Sequence, residues 1–143
     1  MNRVAALLIA SIAVLLVAAD FVLIEFFGPF IAIPIVLLPF GLIGPLLIYR
    51  LPRNVVGWLL GTSGVFFQVT FTSGAYSWVA LVGSPGRFPG GEVVTAISNA
   101  SIAPALGCAI VMLLFFPSGR GLGGRWTWVG RGLIAVVVLA GVG

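Results

Sequence analysis

The chain has 143 residues, of which 61% are hydrophobic and 7% charged, and its formal net charge is +4. Soluble domains carry about 25% charged residues, so a chain with so few charges cannot present a water-facing surface around a packed core. The mean hydropathy of +1.27 excludes an ordinary soluble domain and predicts an all-α, polytopic bundle of transmembrane helices with four to five spans.

The first predicted span is 4–24. Residues 4–19 carry no charge, and Asp20 falls in the last turn. A span needs about 20 apolar residues, so the length fits. A rival reading is a secretory signal peptide, with Arg3, an apolar stretch and the small residues Val17, Ala18 and Ala19 before Asp20. The equally apolar remainder of the chain favours a span.

The second span is 30–49. Pro34, Pro39 and Pro45 would break a soluble helix, but membrane helices tolerate proline where neighbours or waters satisfy the freed carbonyls. The polar turn "RLPRN" follows, with Arg50 and Arg53, and the Asn54 side chain can cap the next helix. The third span, 55–82, has no charge but many small and polar residues, among them Gly57, Gly61, Thr62, Ser63, Gly64, Gln68, Thr70, Thr72, Ser73 and Gly74. Its length implies tilt or an end that leaves the lipid.

Residues 83–92, "GSPGRFPGGE", read as a turn-rich loop. The fourth span is 93–116, with Pro104 near its middle. The fifth, 126–143, carries Arg131 and stops at Gly143 without a polar flank. It reads as incomplete, and the parent reading frame is expected to continue.

All basic residues are arginines, and there is no His. A pI near 10.7 in a soluble chain would suggest nucleic acid. Here the arginines are spread over several loops and are expected to set topology instead. If every span crosses and the N-terminus is cytoplasmic, Arg3, Arg50, Arg53, Arg120, Arg125 and Arg131 lie inside and only Arg87 lies outside. This positive-inside bias sets the expected orientation, with the N-terminus cytoplasmic, and the expected partners are the lipid bilayer and either other copies of the chain or other membrane helices.

Gly119, Gly121 and Gly124 match the spacing of a dinucleotide-binding loop. That fold needs a short strand before the glycines and an acid roughly 20 residues after them. The preceding apolar run is far too long for a strand, and no acid follows Glu92. The loop is a cytoplasmic turn, with arginines at lipid phosphates and Trp126 and Trp128 at headgroup depth.

Two short motifs carry a resemblance. "RLPRNVVGWLLG" opens the third span and "LLFFPSGR" closes the fourth. The arrangement is similar to the membrane input region of actinobacterial-type sensor histidine kinases. There an Arg-rich turn with Asn-Pro-x-Gly-Trp opens one helix, and a Phe-Pro-(Asp or Thr)-Gly-Arg turn closes the next. The matching positions are Arg53, Asn54, Gly57 and Trp58, then Phe116, Pro117, Gly119 and Arg120. Val55 stands where the family usually has Pro, and Ser118 where Asp is common. The resemblance, over residues 30–143, implies a sensing module without its kinase, since the phosphoacceptor His and the ATP-binding domain are not in this chain. The matching residues read as positioning groups: a cap, a close-approach glycine, an interfacial anchor, a helix stop and a headgroup contact.

Other candidates are polar or small. Gln68, near the centre of the third span, and Asn99, with Ser98 and Ser101 in the fourth, are either interhelical hydrogen-bonding groups or the lining of an intramembrane polar site. Asp20 and Glu25 do not share a helix face; they are expected in solvent at the outer interface, a proton or cation role being the alternative. Gly57 with Gly61, and Ser101 with Ala105 and Ala109, are small-residue stripes suited to helix packing. No nucleophile–base pair, intramembrane carboxylate pair or metal-ligand cluster is legible, Cys108 lies in an apolar run, and neither catalysis nor a cofactor is expected. The favoured function is a sensing or input module. The alternatives are a small transporter or channel component, or a structural partner of another membrane protein.

Overall fold

A computed structural model gives the architecture, described for residues 2–22 and 32–115 and for Trp128, Arg131, Gly132 and Ala135. The described residues contain no strand. Four helices follow one another: α1 (Asn2–Val22), α2 (Ala32–Arg50), α3 (Val55–Trp78) and α4 (Gly91–Phe115), and a π-helical segment, Val79–Gly83, extends α3. Three are long and apolar enough to cross a membrane: Arg3–Val22, Val55–Gly83 and Gly91–Phe115. In α2 the apolar stretch Ile35–Arg50 is shorter. The expected fifth span and the ends of the first two fall largely outside the described residues.

Local chemistry explains the boundaries. Asn54 has extended backbone angles, and its Oδ1 accepts a hydrogen bond from Val56 N at 3.0 Å, which satisfies one orphan donor at the start of α3. The 83–92 region is a turn, with Gly86 and Gly90 both at positive φ (80° and 75°), a conformation that glycine adopts without steric cost. Glu92 sits in the first turn of α4, where the helix dipole favours an acid. Pro39 and Pro45 lie within α2 and Pro104 within α4, without ending them.

The third helix is the hub. It packs extensively on α1, α2 and α4, while α1 also packs on α2. Two seams fix the registers. Against α2, Gly57 faces Ile48, Gly61 faces Gly44 and Gly64 faces Gly41. Each step up α3 is matched by an equal step down α2, the signature of an antiparallel pair. Against α4, the Ser63 hydroxyl donates to the Ala105 carbonyl at 2.9 Å, and the Ser98 hydroxyl donates to the Thr70 carbonyl at 2.8 Å. Seven residues up α3 are again seven down α4, so this pair is also antiparallel. By contrast α1 runs parallel to α3: Ile9 lies beside Gly61, and Asp20 lies beside Thr72.

These registers gather Arg3, Arg50 and Arg53 at one end of the bundle, where the Arg3 guanidinium lies 5.1 Å from the centre of the Tyr49 ring. Arg87 and Glu92 lie at the other end. There the Tyr76 hydroxyl donates to the Pro89 carbonyl at 2.8 Å, and its ring meets Phe88 edge-on, tying the 84–90 loop to the bundle.

Candidate intramembrane polar site

Apolar helices that pack through glycine bring their backbones close and leave few places for a polar side chain. Most helix hydroxyls here solve the problem locally. Thr70, Ser77, Thr95 and Ser101 each donate to the carbonyl four residues earlier, at 2.7 to 2.9 Å. Ser63 and Ser98 donate across to the partner helix. Interhelical bonds of this kind in lipid average about 0.6 kcal/mol.

Three side chains break this pattern. Gln68 is fully buried, and neither its Oε1 nor its Nε2 has a hydrogen-bond partner. Thr72, one turn further along α3 on the same face, keeps a buried Oγ1 with no partner. Asp20, on α1, is 2% exposed and its Oδ2 is also unpartnered. The Thr72 hydroxyl lies beside the Asp20 carboxyl, yet the two do not close a hydrogen bond of good geometry. No ion pair is formed by Asp20 among the described residues. Asp20 and Thr72 meet at the α1–α3 contact, Gln68 lies one turn from Thr72 on the same face of α3, and together the three side chains hold four unsatisfied polar atoms. An unpartnered buried polar group costs roughly 1–3 kcal/mol, and a bare charge in lipid costs more, so this is the most demanding place in the bundle.

The group is bounded on one side. One turn below Gln68, Gly64 rests on the Gly41 backbone, and Gly41 in turn rests on the fully buried Ala13. Three helices touch there, between the polar group and the Arg3–Arg50–Arg53 end. On the other side Asp20 lies two residues from the end of α1 as described, toward the Arg87–Glu92 end of the bundle.

Asp20 thus departs from the expected solvated position. The pairing with Thr72 depends on how α1 docks against α3, and the spacing of Asp20 and Glu25 along α1 carries no information about that. Glu25 lies outside the described residues.

Gln68 and Asn99 are not brought together. Asn99 is exposed on the outer face of α4, while its neighbour Ser98 points into the α3–α4 seam. Ser101 is buried and bonded to its own helix at Ile97, Ala105 is fully buried and accepts from Ser63, and Ala109 is half-buried. Gly57 and Gly61 lie in the α2–α3 seam, where a Cβ on Gly57 would come within 2.9 Å of the Leu47 Cβ. Cys108 is a free, half-buried thiol on α4.

The first sequence motif forms a closed corner. Asn54 caps α3, and the Trp58 indole Nε1 donates back to the Pro52 carbonyl at 3.2 Å. Asn54 N also donates to Leu51 O at 2.9 Å. Gly57 admits the last turns of α2, and Arg53 projects from the exposed turn. The second motif, with Phe116, Pro117, Gly119 and Arg120, lies outside the described residues. No group of three or more His, Cys, Asp or Glu side chains is placed to hold a metal among the described residues. No family model, curated protein or solved structure matches the chain.

Proposed function

We propose that the chain is a multi-pass integral membrane protein of a bacterial plasma membrane, with four to five spans and a cytoplasmic N-terminus. It works as a sensing or input module similar to the membrane region of actinobacterial-type sensor histidine kinases, and it passes a change in helix packing to an output module. The observation that carries the membrane part is an inverted distribution of polarity. Leu7, Leu15, Val22, Val36 and Leu113 are each more than 60% exposed, whereas Gln68, Asp20, Ser63 and Ser101 are buried. A bundle in water arranges these groups the other way round; a bundle in lipid hides its polar atoms among its helices.

The input role draws its support from the Arg53–Trp58 corner. Its residues cap, clasp and pack the junction of α2 and α3, and none of them is placed for chemistry. A corner of this kind couples the tilt of two helices, which suits a module that transmits conformation.

Cysteine labelling tests the topology. In a Cys108→Ser background, Ser84→Cys should react with an impermeant thiol reagent in intact cells, and Leu51→Cys only after permeabilisation. The reverse pattern inverts the orientation, and equal labelling of both overturns the spanning arrangement. Sequencing the DNA downstream of the Gly143 codon tests the input role: a kinase frame, continuous or adjacent, supports it, and the lack of one overturns it.

A second reading, a small transporter or channel component, is favoured by one observation, the unpartnered carboxyl of Asp20 beside Thr72 and Gln68. Solute uptake by vesicles containing the purified chain distinguishes it from the first reading.

A further inference from the structure

The four unsatisfied atoms of Asp20, Thr72 and Gln68 are three oxygens and one amide nitrogen. They belong to a carboxylate, a hydroxyl and a primary amide. Thr72 could have satisfied itself as Thr70 does, by donating to the carbonyl four residues earlier, but its hydroxyl remains beside Asp20. Two further facts restrict what completes the group. Among the described residues, Arg3, Arg50 and Arg53 lie at the opposite end of the bundle, and the Arg87 guanidinium lies 5.6 Å from the centre of the Phe88 ring in the 84–90 loop. The floor formed by Ala13, Gly41 and Gly64 is tight: a Cβ on Gly64 would meet the Gly41 nitrogen at 2.6 Å, and a Cβ on Gly41 would meet the Ala13 Cβ at 2.8 Å.

Hard oxygen donors suit hard cations. A single carboxylate balances one positive charge, and a divalent ion held by it alone would leave a net charge in a medium that penalises it. Gln68 Oε1 and Thr72 Oγ1, one turn apart on one face of α3, each keep a lone pair without a partner. The Gln68 amide nitrogen can then donate to a water that completes the ion's shell.

We infer that Asp20, Thr72 and Gln68 form a binding site for a small monovalent cation, entered from the Arg87–Glu92 end of the bundle, with sodium as the ion that probes it. The ion bridges α1 to α3. Its presence holds the parallel α1–α3 register, and its loss frees α1 to shift against the α2–α3 pair. This deepens the proposed sensing role by naming a ligand class, and it rests on that reading only in taking lipid to close the outer rim of the site.

The test uses the full chain purified in detergent and reconstituted in nanodiscs, with thermal unfolding followed by tryptophan fluorescence. NaCl replaces choline chloride stepwise at constant ionic strength. A ligand bound only by the folded state raises Tm in a saturable way. The wild-type Tm is expected to rise with sodium and level off, and the rise is expected to vanish in Asp20→Asn, which keeps the shape of the side chain and removes its charge. Thr72→Val is expected to raise the half-saturating sodium concentration about 10-fold or more, the loss expected when a metal site is stripped of one supporting group.

A wild-type Tm that is the same in sodium and choline overturns the site, as does a sodium response retained by Asp20→Asn. If Asp20→Asn does not fold, Thr72→Val decides: an unchanged half-saturating concentration overturns the site. The cysteine labelling that tests topology is read independently, so failure of the ion site and failure of the membrane reading are distinguishable.

Discussion

Gly44 and Gly61 meet backbone to backbone across the α2–α3 seam, but the contact is not symmetric. A Cβ built on Gly44 would overlap the Gly61 nitrogen and Cα, which cannot move without moving α3. A Cβ on Gly61 would meet the Pro45 Cδ at 3.3 Å and the Ile9 Cγ2 at 3.4 Å, with the Gly44 carbonyl carbon at an ordinary 3.6 Å. Gly44→Ala should therefore destabilise the bundle by about 1–3 kcal/mol, the usual cost of overpacking. Gly61→Ala should change stability by less than about 1 kcal/mol, since the helix-propensity gain of alanine opposes a small steric cost. Unfolding of the two variants in detergent checks this; equal losses would mean that the seam is looser than described.

The α3–α4 seam is held differently. Ser63 and Ser98 each donate to a carbonyl of the opposite helix. Ser63→Ala and Ser98→Ala should each cost about 0.6 kcal/mol, the mean for such bonds in a membrane bundle. The double variant should cost close to the sum, because the two bonds lie two turns apart and share no partner. A double variant that loses much more would show that the seam opens as one unit.

Asn54 is the only side chain seen to cap α3 at its start. Asn54→Ala should lower stability by about 1 kcal/mol, and Asn54→Asp should restore most of it, because Asp offers the same acceptor. Chemical unfolding of the three proteins in one detergent makes the comparison. An Ala variant as stable as wild type would assign the corner to the Trp58–Pro52 bond alone.

Tyr76 ties the 84–90 loop to the end of α3 through its bond to Pro89. Because the pair is exposed, Tyr76→Phe should alter global stability little, by about 0.5–1.5 kcal/mol at most. Its effect should concentrate in the loop, with faster amide hydrogen exchange at 84–90 and little change in α2. Uniformly faster exchange along the whole chain would contradict that local role.

Some of this was legible in the residues and some was not, for reasons that can be named. The start of α3 could be read because Asn54 precedes an uninterrupted apolar run, and capping is a local event. Gly57 and Gly61 stood out at a spacing of four. Their counterparts Gly41 and Gly44 did not, since they lie among Pro39 and Pro45 in a segment whose prolines dominated the reading. Gln68 and Asn99 looked alike: each is a lone amide in an apolar run. One is sealed inside and the other is exposed, and helices this uniformly apolar carry too weak a periodicity to assign either to a face. The contact of Asp20 with Thr72 is a property of tertiary register. Nothing within α1 or within α3 specifies it.

The parallel pairing of α1 with α3 also has a consequence for synthesis. The ribosome makes Asp20 about fifty residues before Thr72, and at roughly 5–20 residues per second the interval is about 3–10 s. During that time the first helix has been released with its carboxyl and without the partner that covers it. The hairpin of α2 and α3 completes the pocket only on arrival. In the proposed membrane arrangement, the end of α1 waits at headgroup depth, among water and lipid phosphates, until the third helix docks.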